Sequence, residues 1–235
     1  MAIKKKKKKK NKPFISPAFK VFLIILLIPI TVGVYVAVYS AWQELKGMPF
    51  FEQFAGSSEL DSIQANFDLE IPVEYIPLYI EAGQKYNVPW TLLAAHHRIE
   101  TRFSTMKTLV SPVGAEGHMQ FMPCTWVGWE HQTCSGLGEG KITEAEKKDP
   151  KTIAKYGGYG VDADGDGIAD PFQIEDAIYS AANFLSIAGA SKGELEKAIF
   201  QYNHSDEYVE NILYYYNLYN SYKDRIETEV ATASS

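Results

Sequence analysis

The longest run of apolar positions lies near the N-terminus. Residues 21–42 contain no charged side chain, and nine of the twenty residues before them are lysine. A membrane-spanning helix needs about 20 mostly apolar residues, and flanking lysines stay on the cytoplasmic side. The pattern predicts one transmembrane helix, with the chain after it outside the cytoplasm. A cleaved signal peptide is the alternative, although its apolar core spans only about 7–15 residues.

Beyond residue 70, apolar positions recur at helical spacing. The segments 72–88, 90–101, 174–188 and 206–226 place apolar side chains three and four residues apart, which is typical of helices with a buried face. No segment of the sequence alternates with the period of a strand, so we predict a mostly α domain. The predicted organisation is a cytoplasmic polybasic segment (1–20), a transmembrane helix (21–42), a linker (43–70), a helical domain (71–227) and a loose tail (228–235).

Charge is divided unevenly along the chain, whose net charge is −6. Nine of the 23 basic residues lie in the first twenty positions, so 14 basic residues face 29 acidic ones beyond them, a balance of −15. An acidic body repels phosphate backbones. We therefore exclude nucleic acid as a partner and do not interpret the lysine run as a DNA-binding arm.

The chain has two cysteines, Cys124 and Cys134, and both fall in the part predicted to be exported. Outside the cytoplasm, an even pair close in sequence favours a disulfide over two free thiols. A cysteine metal site normally has four ligands, and no second cysteine pair exists in the sequence. We predict one disulfide.

The segment LLAAHHRIETRFS, 92–104, predicts a helix with two histidines and one carboxylate. His96, His97 and Glu100 share a face with Leu93, because i, i+3, i+4 and i+7 coincide on a helix. The H-E-x-x-H spacing of a zinc helix is absent, so the histidines are interpreted as packed or hydrogen-bonded side chains. A carboxyl beside an apolar stripe has a raised pKa, which makes Glu100 a candidate acid. A structural salt bridge to Arg102 or Arg98 is the alternative.

Two further stretches contain residues suited to sugar binding. In SPVGAEGHMQFMPCTW, 111–126, Gly114 permits an unusual backbone conformation and Gln120 offers both a donor and an acceptor. Tyr202 and Asn203 lie at the predicted end of a later helix. Taken alone, the first stretch is an ordinary turn before a helix, and the second is a core tyrosine followed by a helix cap.

An acid-rich loop, VDADGDGIADPFQIED, spans residues 161–176. Asp162, Asp164 and Asp166 alternate, and the carbonyl of Ile168 occupies the seventh position, as in an EF-hand calcium loop. Carboxylates this close repel one another without a cation, which favours calcium over a solvated acidic turn. The stretch therefore predicts a calcium-binding loop embedded in the domain.

The end of this loop departs from the EF-hand pattern. The twelfth position is Gln173 rather than a bidentate glutamate, and the next acids are Glu175 and Asp176. The closing ligand is therefore displaced to one of these two acids, and the sequence does not decide which of them it is. A displaced closing ligand favours a structural calcium site over a sensor that opens a pair of helices.

In this order along the chain, the motifs resemble those of the lytic transglycosylases, which cleave the glycan strands of peptidoglycan. The acid-rich loop and YNHSDEYV make the chain most similar to the membrane-bound type B branch, and the resemblance covers roughly residues 71–226. The matching residues are Glu100-Thr101, Gly114-Ala115-x-Gly117-x-Met119-Gln120-Phe121-Met122-Pro123, the acid-rich loop leading into Asp176-Ala177-Ile178, and Tyr202-Asn203.

The resemblance implies a lysozyme-like fold in which Glu100 is the sole catalytic acid and base. The enzyme would cleave between MurNAc and GlcNAc and leave a 1,6-anhydroMurNAc end, because the MurNAc 6-hydroxyl rather than water attacks. The implied substrate-binding residues are Ser111, Gly114, Met119, Gln120, Phe121, Tyr202 and Asn203. The implied calcium ligands are Asp162, Asp164, Asp166, the carbonyl of Ile168, and Asp176.

Two other functions remain open at this level. A hydrolytic muramidase of the same fold needs a second carboxylate, for which Glu116 is the nearby candidate. A non-catalytic glycan-binding scaffold of a secretion or conjugation apparatus is the other. The expected partners are peptidoglycan strands, the membrane and wall-remodelling, secretion or conjugation machinery. The expected location is the cell membrane, with a cytoplasmic N-terminus and an extracellular domain.

Overall fold

The computed structural model describes residues 33–36, 39–40 and 70–233. The chain divides into one unit, Met1–Ser58, and a second, Glu59–Ser235. The described residues of the first unit are helical and exposed. Within the described parts of the chain, no helix is both long and apolar enough to cross a membrane. The predicted polybasic segment lies outside the described residues, as do most of the predicted transmembrane helix and all of the linker except Glu70.

The described part of the second unit is built from helices, which confirms the mostly α prediction. Its residues 70–233 contain no extended strand, and two isolated antiparallel bridges pair Glu116 with Val110 and with Phe121. Short 3-10 turns cover Val73–Tyr75 and Ala190–Lys192. The helices are α1 (Ile76–Tyr86), α2 (Trp90–Thr101), α3 (Pro123–Val127), α4 (Glu144–Lys148), α5 (Pro150–Tyr156), α6 (Ile174–Ala188), α7 (Leu195–Tyr202), α8 (Asp206–Ser221) and α9 (Lys223–Ala233).

Helix α2 lies at the centre of the core. Its residues Leu92, Leu93, Ala94 and Ala95 have no exposed surface, because α1, α6 and α8 pack around it. Four consecutive apolar residues cover every side of a helix, so this stretch is buried on all sides. The last turn of α2 leaves this core, and Glu100 there is half-buried.

The C-terminal helix differs from the predicted loose tail at 228–235. Helix α9 continues to Ala233. Ile226 is buried, and Glu227 accepts a hydrogen bond of 2.6 Å from the indole nitrogen of Trp90. These contacts fix the first turn of α9, and helix propagation costs much less than nucleation.

The segment between α2 and α6 contains three short helices and many turns. A disulfide joins Cys124 at the start of α3 to Cys134, with a Cα–Cα distance of 5.7 Å, which confirms the predicted pairing. Helix α4 begins with a capping box in which Thr143 and Glu146 each accept from the other's backbone amide. This turn-rich segment is therefore held by its own caps and cross-link.

Candidate active site

Glu100 lies in the last turn of α2 and contacts α8. The hydroxyl of Tyr208 donates a hydrogen bond of 2.5 Å to the Glu100 carboxyl. Tyr208 lies in the first turn of α8, which begins after Ser205; the Ser205 side chain accepts from the Tyr208 amide. The cap of α8 thus sets the position of the phenol that holds Glu100.

Burial raises the pKa of Glu100 to about 7, while the Tyr208 hydrogen bond opposes this shift. Desolvation disfavours the charged carboxylate, and a donor stabilises it. A carboxyl with this pKa carries a proton in a large fraction of molecules near neutral pH. Glu100 can therefore both donate and accept a proton at physiological pH.

The first of the two histidines on α2 is neutral and buried. His96 lies one helical turn before Glu100, and its Nδ1 donates to the carbonyl of Leu92 at 2.9 Å. Burial lowers its pKa to about 4, and its ring packs edge-on against Tyr202 at 5.1 Å and Tyr208 at 6.0 Å between ring centroids. His96 thus packs against two tyrosines, one of which holds Glu100, which agrees with its prediction as a packed and hydrogen-bonded side chain.

The arginine before Glu100 has other partners. Arg98 forms an ion pair of 2.5 Å with Glu70, and its guanidinium lies 4.2 Å from the ring centre of Tyr215. Arg98, Arg102 and Phe103 line a cavity of about 700 Å³ beside the end of α2. Among the described residues, neither Arg98 nor Arg102 forms an ion pair with Glu100, so the predicted salt bridge is wrong.

The segment between residues 111 and 122 lies against the exit of the acid-rich loop. A Cβ atom on Gly117 would lie 1.9 Å from the carbonyl oxygen of Pro171, so this close approach requires glycine. Gln120 follows with a φ of 49°. The side-chain amide nitrogen, Nε2, donates to the carbonyls of Gly117 and Leu109, at 2.8 and 3.0 Å. The group that Gln120 can offer to a sugar hydroxyl is therefore its amide oxygen.

Three predicted substrate residues meet in one small cavity of about 50 Å³. Gln120, Phe121 and Tyr202 line it together with Met122, Thr125 and Phe184. Burial raises the pKa of Tyr202, and the charge of Glu100 raises it further. Glu100 therefore lies near Tyr202, which lines this cavity.

The other predicted substrate residues lie outside that cavity. Met119 is fully buried and takes part through its carbonyl, which accepts from the Tyr202 hydroxyl at 2.8 Å. Ser111 closes its own turn, because its hydroxyl accepts from the Ala115 amide at 2.9 Å. Gly114 has a φ of 85° at that turn. Asn203 caps α7, and its side chain is exposed.

Glu116, the candidate second carboxylate, is bound to a buried lysine. Lys147 on α4 is 4% exposed, and its Nζ lies 2.8 and 2.6 Å from the two oxygens of Glu116 and 2.8 Å from Glu144. Burial alone would lower the pKa of Lys147, but these hydrogen bonds raise it. An ammonium so held neutralises Glu116, which therefore braces the loop before Gln120.

The acid-rich loop brings three of its predicted ligands together. Carboxylate oxygens of Asp162, Asp164 and Asp166 lie within 4.8 Å of one another. Asp162 accepts from the amides of Gly165 and Gly167, and Asp166 from the amide of Ile168. Three hard oxygen donors converging on one point suit calcium. The side chains present at this loop therefore fit the ion.

Asp176, the predicted closing ligand, has a different place. It is fully buried, and its two oxygens accept from the amides of Ala163 and Asp170, at 2.7 and 2.8 Å. Burial, and then the charges of Asp164 and Asp162, raise its pKa to about 6. Asp176 ties the two arms of the loop to the start of α6. Gln173, at the twelfth position, instead donates to Asp164 at 2.6 Å.

Sequence reasoning missed Tyr208 as a site residue and took it only as part of a buried helix face. The hydroxyl of a buried tyrosine needs a partner, so an N-cap serine three residues before a tyrosine is a signal that could have drawn attention to it. Lys147 was also missed. It lies far from Glu116 along the chain, in a segment with no helical periodicity of its own.

Comparison with known proteins gives one match. Residues 153–196 match the family model of the transglycosylase SLT domain. This segment contains the acid-rich loop and α6 but does not reach Glu100. No curated protein and no solved structure matches the chain. The match confirms the predicted enzyme class, lytic transglycosylase, and the mostly helical fold is consistent with a lysozyme-like SLT domain.

Proposed function

We propose that this lytic transglycosylase cleaves the β-1,4 bond between MurNAc and GlcNAc in peptidoglycan, with Glu100 as its only acid and base. The observation that carries the proposal is the Glu100 carboxyl itself, half-buried, held by Tyr208 and with its pKa raised to about 7. A group that must first give and then take a proton works best when its pKa is near the working pH.

The reaction needs two proton transfers, one from Glu100 and one back to it. Protonated Glu100 donates to the glycosidic oxygen, the bond from that oxygen to C1 of MurNAc breaks, and the GlcNAc side leaves with a hydroxyl. The 6-hydroxyl of MurNAc then bonds to C1 and gives its proton to Glu100. The enzyme is regenerated, no water is consumed, and the product is a 1,6-anhydroMurNAc end.

A single carboxylate suffices in this scheme because the substrate supplies the nucleophile. Hydrolytic glycosidases place two carboxylates across the bond, one of which attacks or activates water. Glu116, the candidate for that role, is paired with Lys147 at 2.6 Å. Its engagement by an ammonium favours the transglycosylase over the muramidase.

We assign the glycan contacts to the residues around Glu100. Gln120 offers its amide oxygen, and Phe121 and Tyr202 contribute ring surface at the same small cavity. Aromatic rings pack well against the apolar faces of sugars. The segment that presents Gln120 is shaped by Ser111, Gly114 and Met119. The exposed Asn203 follows Tyr202 at the C-terminal end of α7.

We also propose that the acid-rich loop holds a structural calcium ion. Asp162, Asp164 and Asp166, with the carbonyl of Ile168, would bind it, while Asp176 holds the loop in shape. The ion would neutralise crowded charge and fix the loop to the start of α6. It has no part in the proton transfers assigned to Glu100.

The proposed setting is the cell membrane. Residues 21–42 would anchor the chain with its polybasic start in the cytoplasm, and the enzyme domain would face peptidoglycan outside, as in the type B branch. The charge-free apolar run and the lysines before it support this orientation. Local opening of the wall would serve wall-remodelling, secretion or conjugation machinery.

The test is a digest of purified peptidoglycan by the full-length protein in detergent with calcium, read by mass spectrometry. We expect 1,6-anhydroMurNAc ends, which are lighter by one water than hydrolysed ends, and none from Glu100→Gln. Hydrolysed reducing ends would instead indicate a muramidase. Binding without cleavage by the folded wild type would indicate a glycan-binding scaffold.

A further inference from the structure

A chain of hydrogen bonds passes beside Glu100 without touching it. The Tyr79 hydroxyl lies 2.7 Å from Nδ1 of His97, and Nε2 of His97 lies 2.6 Å from the hydroxyl of Ser104. The same hydroxyl lies 2.6 Å from Nδ1 of His118, whose Nε2 lies 2.8 Å from the carbonyl oxygen of Phe172. The chain joins α1, α2, the turn after α2, the segment before Gln120 and the entry to α6.

The direction of every bond in this chain follows from its last member. A carbonyl oxygen can only accept, so Nε2 of His118 carries a proton and, in the neutral ring, Nδ1 accepts from Ser104. Ser104 must then accept from Nε2 of His97, and Nδ1 of His97 accepts from Tyr79. Burial lowers the pKa of His97 to about 3, with the nearby His118 adding to the effect, and also lowers the pKa of His118. Both rings are therefore neutral, as this pattern requires.

The turn that contains Ser104 has an unusual backbone. Arg102, Phe103 and Ser104 have φ values of 51°, 56° and 66° in succession, and none of them is glycine. Residues with side chains occupy this left-handed region at an energetic cost and remain there only where their surroundings hold them. The turn begins two residues after Glu100, so its conformation sets how the last turn of α2 ends.

Ser104 is the residue that holds this turn. Its hydroxyl is bonded to both imidazoles, and its amide donates to the Thr101 hydroxyl at 3.1 Å. The Thr101 hydroxyl in turn donates to the carbonyl of His118 at 2.8 Å. The end of α2 and the segment before Gln120 are thus joined twice, directly by the Thr101 hydroxyl and through the Ser104 hydroxyl.

We propose that Ser104, clamped between His97 and His118, is a positioning residue that fixes the end of α2 and thereby directs the Glu100 carboxyl at the glycosidic bond. The inference rests on the proposed function of Glu100. It assigns Ser104 no contact with substrate. We expect loss of the Ser104 hydroxyl to reduce the turnover rate, because a displacement of about 1 Å in a catalytic group can lower the rate about 100-fold.

Two substitutions of the same serine separate positioning from stability. Ser104→Ala and Ser104→Gly both remove the hydroxyl, but glycine alone adopts positive φ without strain. The glycine variant should therefore be at least as stable as the alanine variant and yet hold the turn less firmly. We expect kcat to fall about tenfold for Ala and further for Gly, with KM within about twofold of wild type, since only transition-state interactions are lost.

The assay follows soluble glycan strands with full-length protein in detergent, at a temperature where circular dichroism shows each variant folded. Thr105→Ala is the matched control, because its hydroxyl bonds only the Arg102 carbonyl of the same turn, and it should keep wild-type kcat. His118→Asn should retain most activity, because an amide oxygen can accept from Ser104 in place of Nδ1. His118→Leu should not.

Two results would overturn the inference. One is wild-type kcat in both Ser104 variants. The other is a loss of kcat that follows melting temperature, with Gly the more active, since that order belongs to a purely structural serine. If the wild type itself forms no anhydro product, the proposed function fails and this inference fails with it. Active wild type with equally active Ser104 variants removes the positioning role alone.

Discussion

Two carboxyl sites in this domain differ in how the fold treats charge. At the end of α2, the Glu100 carboxyl accepts from Tyr208 and lies near Tyr202, and burial raises its pKa to about 7. In the acid-rich loop, Asp162, Asp164 and Asp166 gather within 4.8 Å and stay largely exposed. The first arrangement favours a protonated acid, and the second favours a bound cation.

The difference teaches what each site needs from its neighbours. Glu100 receives one hydrogen bond from a side chain, whereas the loop aspartates accept mainly from backbone amides of their own loop. A carboxyl that must exchange protons cannot be held by many donors, because each donor stabilises the ionised form. Carboxylates that bind a cation can accept from many donors, and the aspartates of the loop accept from several backbone amides.

The largest effect should come from Glu100→Gln, which keeps the shape of the side chain and removes the proton. General acid catalysis contributes about 100- to 10,000-fold, so we expect at least a 100-fold loss of kcat/KM. The measurement is release of anhydro ends from peptidoglycan. Asp164→Asn is the contrasting control from the other site and should keep kcat when calcium is saturating. Equal losses in both variants would contradict the separation of roles.

The next effect should come from Tyr208→Phe and should appear in the pH profile. In the proposed mechanism Glu100 acts in its protonated form, so activity should fall as pH rises through about 7. The Tyr208 hydrogen bond lowers the pKa of Glu100, so its removal should move this alkaline limb to higher pH. The loss of orientation should also lower kcat roughly tenfold. The measurement is kcat/KM between about pH 5 and about pH 9. An alkaline limb displaced to lower pH would contradict the effect assigned to Tyr208 on the pKa of Glu100.

Much of the comparison could be predicted from sequence, and the reason is local. Glu100 and the aspartates of the loop are readable because periodicity and ligand spacing act over a few residues. The disulfide is readable because Cys124 and Cys134 are the two cysteines of the chain.

The parts that could not be predicted are long-range. Tyr208 meets Glu100 across 108 positions, and Lys147 meets Glu116 across 31. The two backbone amides that Asp176 accepts from belong to its own loop, and its role as a calcium ligand stays a prediction. The helix that replaces the expected loose tail depends on Trp90, far earlier in the chain.

The third effect concerns stability rather than chemistry. If the acid-rich loop binds calcium, a chelator should lower the melting temperature by roughly 5–10 °C, because a ligand at 100 times its Kd adds about 2.7 kcal/mol. Asp162→Asn should remove this calcium dependence while Glu100→Gln preserves it. Differential scanning calorimetry with and without calcium is the measurement. A melting temperature that ignores calcium in the wild type would refute the calcium assignment.

The smallest effect on activity, and the finest distinction between the two sites, should come from Gln173→Glu. Gln173 occupies the twelfth loop position and donates to Asp164 at 2.6 Å. A carboxylate there would repel Asp164 without a cation and would supply the bidentate ligand that the loop lacks. We expect lower stability in chelator, about tenfold tighter calcium binding by isothermal titration calorimetry, and unchanged kcat, since one added anionic ligand is worth roughly 1–2 kcal/mol. Weaker calcium binding would mean that position twelve does not face the ion, and a changed kcat would mean that the loop and Glu100 are energetically coupled.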